Sequence, residues 1–195
     1  LRVNCLLFRD GFDDNNDIHA YVDFFTPRKI VVMFEVHDFI GGYLEGNNLT
    51  TAVNWFKELA ARYKDNPYVW YEVHNEPGRT TPDRSRWVNQ HQAVIKAIRD
   101  EVGNDAPILC NGTSWGQDAG GYSSRVHDGG SAVLSYGHEL INFNGKTYTN
   151  IIFGYHGYDQ WTNSVAKMED YVKRAYDKGY ALICGEFGIH NNGDI

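Results

Sequence analysis

Six apolar runs of strand length, separated by polar or Gly-rich turns and helical patterns, constrain this chain more than any other feature. They cover residues 3–8, 30–36, 69–73, 107–110, 151–155 and 181–184, and helical patterns cover 17–25, 50–63, 83–102 and 164–178. Strands buried on both faces read as near-continuous apolar runs, and their alternation with helices predicts an α/β fold with a parallel sheet covered by helices. The helix over 50–63 has Thr50 and Thr51 as candidate caps and sets Ala52, Val53, Phe56, Leu59 and Ala60 on one stripe. In the helix over 83–102, Trp87, Val94, Ile95 and Ile98 share the inward side, and Gly103 follows as a stop. Residues 116–149, rich in Gly, Ser, Tyr and Asn, read as an extended loop region with a short hairpin around 140–148.

With 195 residues, 42% hydrophobic and 22% charged, the chain can bury a core as one domain. Its net charge of -7 and lack of a basic run exclude nucleic acid as a partner. No apolar stretch approaches the length of a membrane span. No signal-peptide pattern opens the chain, because Leu1 already lies in a strand-like run. Cys5, Cys110 and Cys184 each sit inside an apolar run and are expected to be buried thiols.

Periodicity fits both an open doubly wound sheet and part of an eight-stranded barrel; the polar residues decide between them. The first turn, FRDGFDDNND, contains no G-x-G-x-x-G and no P-loop. Polar and ionisable groups instead gather at the C-terminal ends of several strands, where barrel enzymes keep their chemistry. They are His37 and Asp38, then His74, Asn75 and Glu76, then His156, Tyr158 and Asp159, and finally Glu186. The fold class expected is a (β/α)8 TIM barrel. Strand alternation predicts that His74 and Glu76 share a face, as do His156 and Tyr158. Pro77 ends the strand just after Glu76, and Gly185 and Gly188 flank Glu186. Two carboxyl groups from different strands, one kept protonated and one ionised, are what glycoside cleavage needs. A metal enzyme built on His37, Asp38, His74 and His156 is disfavoured, since no H-E-x-x-H and no Cys-pair spacing is present. Neither a metal nor an organic cofactor is required. With 13 Tyr and 5 Trp, the chain also holds candidate platforms for flat sugar faces: Trp115, Trp161 and Tyr122.

At VWYEVHNEPG and ICGEFG the sequence resembles glycoside hydrolase family five, in the clan of (β/α)8-barrel retaining enzymes that includes β-mannanases and endoglucanases. The resemblance implies Glu76 as acid/base, Asn75 as its neighbour on the sugar 2-hydroxyl, and Glu186 as nucleophile. It also implies that Tyr158 holds the nucleophile, that His156 and His37 line the site, and that Arg2 lies near Glu186. VMFEVHD, the SWGQD segment around Trp115 and EFGIHNNGD resemble bacterial β-mannanases more than cellulases. The implied activity is a retaining endo-β-1,4-glycanase acting on β-mannan, with an endo-β-1,4-glucanase as alternative and a non-hydrolytic carbohydrate-binding barrel as the alternative of another class. The partner would be a polysaccharide or oligosaccharide, with neither membrane nor nucleic acid, for a monomer secreted from the cell. Against the family pattern the chain is expected to be an incomplete piece, residues 1–195 of one catalytic barrel domain truncated at both ends. It would hold about strands two to seven and be unstable or inactive in isolation.

Overall fold

The computed structural model describes residues 1–9, 18–162 and 164–188. Six strands form one parallel sheet in sequential order: β1 (Arg2–Cys5), β2 (Val32–Val36), β3 (Val69–Glu72), β4 (Ile108–Asn111), β5 (Ile151–Gly157) and β6 (Ala181–Phe187). Between them run α1 (His19–Phe25), α2 (Gly46–Arg62), α3 (Arg84–Lys96), α4 (Ala132–Ile141), the short α5 (Asp159–Thr162) and α6 (Val165–Asp177). The six strands and the alternating βα order expected from the apolar runs are therefore present. The expected start of the first helix, residue 17, lies outside the described residues.

Pleating divides the strand residues between two faces. Val32, Phe34, Val36, Val69, Tyr71, Val73, Ile108 and Cys110 are all buried in the main core cluster. There Phe56 of α2 meets Tyr71 edge to face, with ring centroids 6.3 Å apart. The opposite face carries Arg2, Glu35 and Glu72.

Sequence and structure differ at three places. Helix α2 begins four residues before Thr50; that threonine lies inside the helix, its Oγ1 donating back to Gly46 O at 3.2 Å, a bond that competes with capping. Helix α3 starts where expected, with Asp83 accepting from Arg86 N, and passes through a π turn over Ala97–Val102 into Gly103 at φ 71°. The segment 116–149 is not all loop. It contains α4, capped by Ser131, whose hydroxyl accepts from Leu134 N at 2.9 Å. The hairpin expected there is present, Asn142–Phe143 against Lys146–Thr147, turning at Asn144 and Gly145, both at positive φ. Finally, Cys5 and Cys110 are buried thiols, but Cys184, on β6, is exposed.

Candidate active site

Glu76, just beyond β3, and Glu186, near the C-terminal end of β6, are 110 positions apart in sequence and meet at that rim of the sheet. One carboxylate oxygen of each and a ring nitrogen of His156 all lie within 4.8 Å of one another. His156, fully buried on β5, places Nδ1 3.0 Å from Glu76 Oε1 and 3.7 Å from Glu186 Oε2. Tyr158 donates its hydroxyl to Glu186 Oε2 at 2.8 Å, so His156 and Tyr158 do share a face. Arg2, at the start of β1, donates from Nη1 to Glu186 Oε1 and from Nη2 to Asn75 Oδ1. Its Nε donates to Glu72 Oε2 at 2.6 Å.

Electrostatics separate these groups. Burial works against ionisation of Glu186, yet His156, the Tyr158 hydroxyl and Arg2 together hold its carboxyl below the usual range. Burial and then the bond to Glu186 push the Tyr158 phenol up to about 12, so it stays a donor at neutral pH. Burial opposes the charge on Arg2, but the bond to Glu72 and the surrounding carboxylates raise its pKa overall, and it remains a cation.

The loop over residues 113–118 forms one wall. Ser114, Trp115, Gly116 and Asp118 all have positive φ. Asp118, fully buried, stabilises this shape by accepting from Thr113 N, Ala132 N and the hydroxyls of Ser131 and Tyr171. Gly116 passes so close to His156 that a Cβ there would meet Nδ1 at 2.6 Å. Trp115 is 37% exposed and, with Glu76, Gln117, Tyr158 and Asp159, lines a cavity of about 300 Å³. Across the rim, the loop after β2 supports the loop after β3, with Gly41 N donating to Glu76 O at 2.8 Å and Gly78 N to Gly42 O at 2.7 Å.

Arg2, Asn75, Glu76, His156, Tyr158 and Glu186 are thus brought together, with Trp115 on the wall. His37 lies beside them, its Nδ1 2.8 Å from Glu35 Oε1. Two expectations fail. Trp161 is not a platform: it is 3% exposed, donates Nε1 to Gln117 O at 2.9 Å and packs between Tyr155 and Tyr171. Nor does His74 share a face with Glu76. β3 ends at Glu72, strand alternation stops there, and His74 turns into the interior, with Nε2 2.8 Å from Asp38 O. Among the described residues, the metal quartet of His37, Asp38, His74 and His156 does not converge; the one group with ligand spacing is Glu76, His156 and Glu186.

Sequence reasoning missed the supporting layer. Asn111, ending β4, donates from Nδ2 to Glu72 Oε1 at 2.6 Å and also reaches Asn75 O. Glu72 and Asn111 therefore fix Arg2 and Asn75 from below. The available signal was the position of Glu72 four residues before Glu76, on the strand face opposite the apolar Val69, Tyr71 and Val73.

Comparisons with known proteins agree with this geometry. The family model described as "Cellulase (glycosyl hydrolase family 5)" matches residues 10–195. The chain is 31% identical over 167 residues to the β-mannanase/endoglucanase A of Caldicellulosiruptor saccharolyticus, covering 84% of this chain and 11% of that protein. It is 28% identical to the mannan endo-1,4-β-mannosidase of Salipaludibacillus agaradhaerens, covering 94% of this chain and 55% of that one. Its fold matches the catalytic domain of a mannanase from Streptomyces sp. SirexAA-E with a TM-score of 0.77 and 24% identity, over 98% of this chain and 58% of that one. The chain therefore spans only part of the length of each relative, and its six-stranded sheet corresponds to part of a (β/α)8 barrel.

Proposed function

Because the chain belongs to glycosyl hydrolase family 5, we propose that the protein carrying it is a retaining endo-β-1,4-glycanase that cleaves β-mannan, with Glu186 as nucleophile and Glu76 as acid/base. The observation that carries this reading is proximity: oxygens of the two carboxyl groups lie within 4.8 Å. Retaining glycosidases hold the pair about 5 Å apart, whereas inverting ones leave roughly 6.5 Å or more for a water. The ionised Glu186 attacks the anomeric carbon as the bond to the leaving oxygen breaks, and Glu76 gives that oxygen its proton. In the second step water attacks the same carbon, gives a proton to Glu76 and releases Glu186, so configuration is retained. Tyr158 and Arg2 orient Glu186, and Asn75, His37 and Trp115 are assigned to the sugar. Since a polymer of this kind lies outside cells, the enzyme is assigned an extracellular setting, as a monomer.

Endo-β-1,4-glucanase action is a second reading, favoured by the relative whose name joins both activities. The test is a product profile of the full-length protein on mannan and on carboxymethylcellulose. Release of manno-oligosaccharides supports the first reading, and cleavage of carboxymethylcellulose alone supports the second. Binding without cleavage of either polymer overturns both in favour of a non-hydrolytic carbohydrate-binding barrel. Glu186→Ala and Glu76→Ala should each lower turnover by several orders of magnitude with the fold intact, and near-normal rates in either variant would remove the mechanism.

A further inference from the structure

Glu35 is a third carboxyl group beneath the cleft, and the reaction above gives it no task. It has no solvent exposure, and strand register sets it directly beside the equally buried Glu72 of β3 and beside Asn4 of β1. Neighbouring buried carboxylates repel, so both cannot ionise without compensation. Among the described residues the one guanidinium within reach, that of Arg2, is already committed. Arg2 holds Glu72 through Nε and Nη2 and Glu186 through Nη1, while Glu35 Oε2 stands 3.5 Å from Nη2 with no hydrogen-bond partner among the described residues. The other oxygen of Glu35 lies 2.8 Å from Nδ1 of His37, two residues along the same strand.

We propose that Glu35 is a positioning residue which, with His37, holds one proton beneath the cleft and so leaves Arg2 to Glu72 and Glu186. This inference rests on the hydrolase reading above. The charged and titratable groups around the pair are Arg2 from β1, Glu72 of β3 with His74 just beyond it, and Asp38 next to His37, with Glu186 of β6 reached through Arg2. Burial pushes Glu35 up to about 7 against the hydrogen bond from His37, and that same bond raises His37, so the two directions agree on a shared proton. When the proton leaves, three carboxylates surround one guanidinium. Arg2 is then drawn toward Glu35, and Glu186 loses the bond from Arg2 while keeping that from Tyr158.

The experiment is the pH profile of kcat/KM for the full-length enzyme on a soluble β-1,4-oligosaccharide. The alkaline limb should fall with the steepness of two ionisations, one of them at the Glu35–His37 pair. Glu35→Gln, which cannot ionise, should convert it to a one-ionisation limb while keeping the rate on the acid side within about threefold. Glu35→Asp should restore the steeper limb. A one-ionisation limb in the unmodified enzyme overturns the proposal whether or not the variant folds. So does a Glu35→Gln variant that loses rate equally at every pH, as a merely structural residue would. Complete absence of hydrolysis by the unmodified enzyme would instead remove the hydrolase reading itself.

Discussion

Replacing Gly116 by alanine tests whether the wall of the cleft controls the proposed acid/base through His156. Gly116 has φ 71°, a left-handed conformation that costs a non-glycine residue about 1–2 kcal/mol. Space is the larger effect. The added methyl would lie 2.6 Å from His156 Nδ1 and 2.9 Å from its Cγ and Cε1, well inside the roughly 3.5 Å that heavy atoms tolerate. His156 is fully buried and bonded through its backbone N to Gly116 O at 2.9 Å, so the ring must turn or the strand must shift. Either movement, on the order of 1 Å, breaks the 3.0 Å contact with Glu76, and displacements of that size lower rates by about a hundredfold. Gly145→Ala supplies the control. Its φ is also 71°, but nothing lies within 4 Å of the added carbon, so it carries the strain without the collision. Steady-state kinetics on a soluble β-1,4-oligosaccharide, with melting temperatures for both variants, separate the two effects. If kcat/KM for Gly116→Ala stays within about fivefold of that for Gly145→Ala, the coupling through His156 is refuted.

Tyr158→Phe removes a donor that helps hold Glu186 ionised, so the acid limb of kcat/KM should move to higher pH; an unmoved limb would show that Arg2 and His156 suffice. Asp118→Asn points an amide donor at hydroxyl and backbone donors in a fully buried site. It should cost about 3 kcal/mol, read as a fall in melting temperature of roughly 6–12 °C. His74 is held neutral, its pKa lowered by burial to about 4 from the ordinary 6.5. The unfolded chain therefore takes up the proton first, and stability present above pH 6.5 should be lost as pH falls through about 4; His74→Gln should flatten that slope in a melting series.

The parts that were legible in the sequence are those written locally. Buried parallel strands leave continuous apolar runs, so all six were visible, and Pro77 and the glycines around Glu186 marked where the chain leaves the sheet. The supporting layer is written in register instead. Glu35 beside Glu72, and Asn111 beneath Asn75, become neighbours through strand pairing, which periodicity along one segment does not show. Helix α4 was hidden because glycines and serines surround it, and its Ser131 cap stands inside a segment whose composition reads as loop. Trp161 was misassigned because an indole serves equally well as a platform or as core. Here its Nε1 reaches Gln117 O, which lets the ring be buried without an unpaired donor.

The contact between Arg2 and Glu186 joins side chains 184 positions apart, from the first and last strands in the sheet order. Among the described residues no backbone ladder links those two strands, and the ion pair ties one to the other. Catalytic rate of the full-length protein thus becomes a gauge of whether β1 and β6 hold their places at once. Gentle heating of the full-length protein that loosens either strand should silence turnover while circular dichroism still reports an intact helical content.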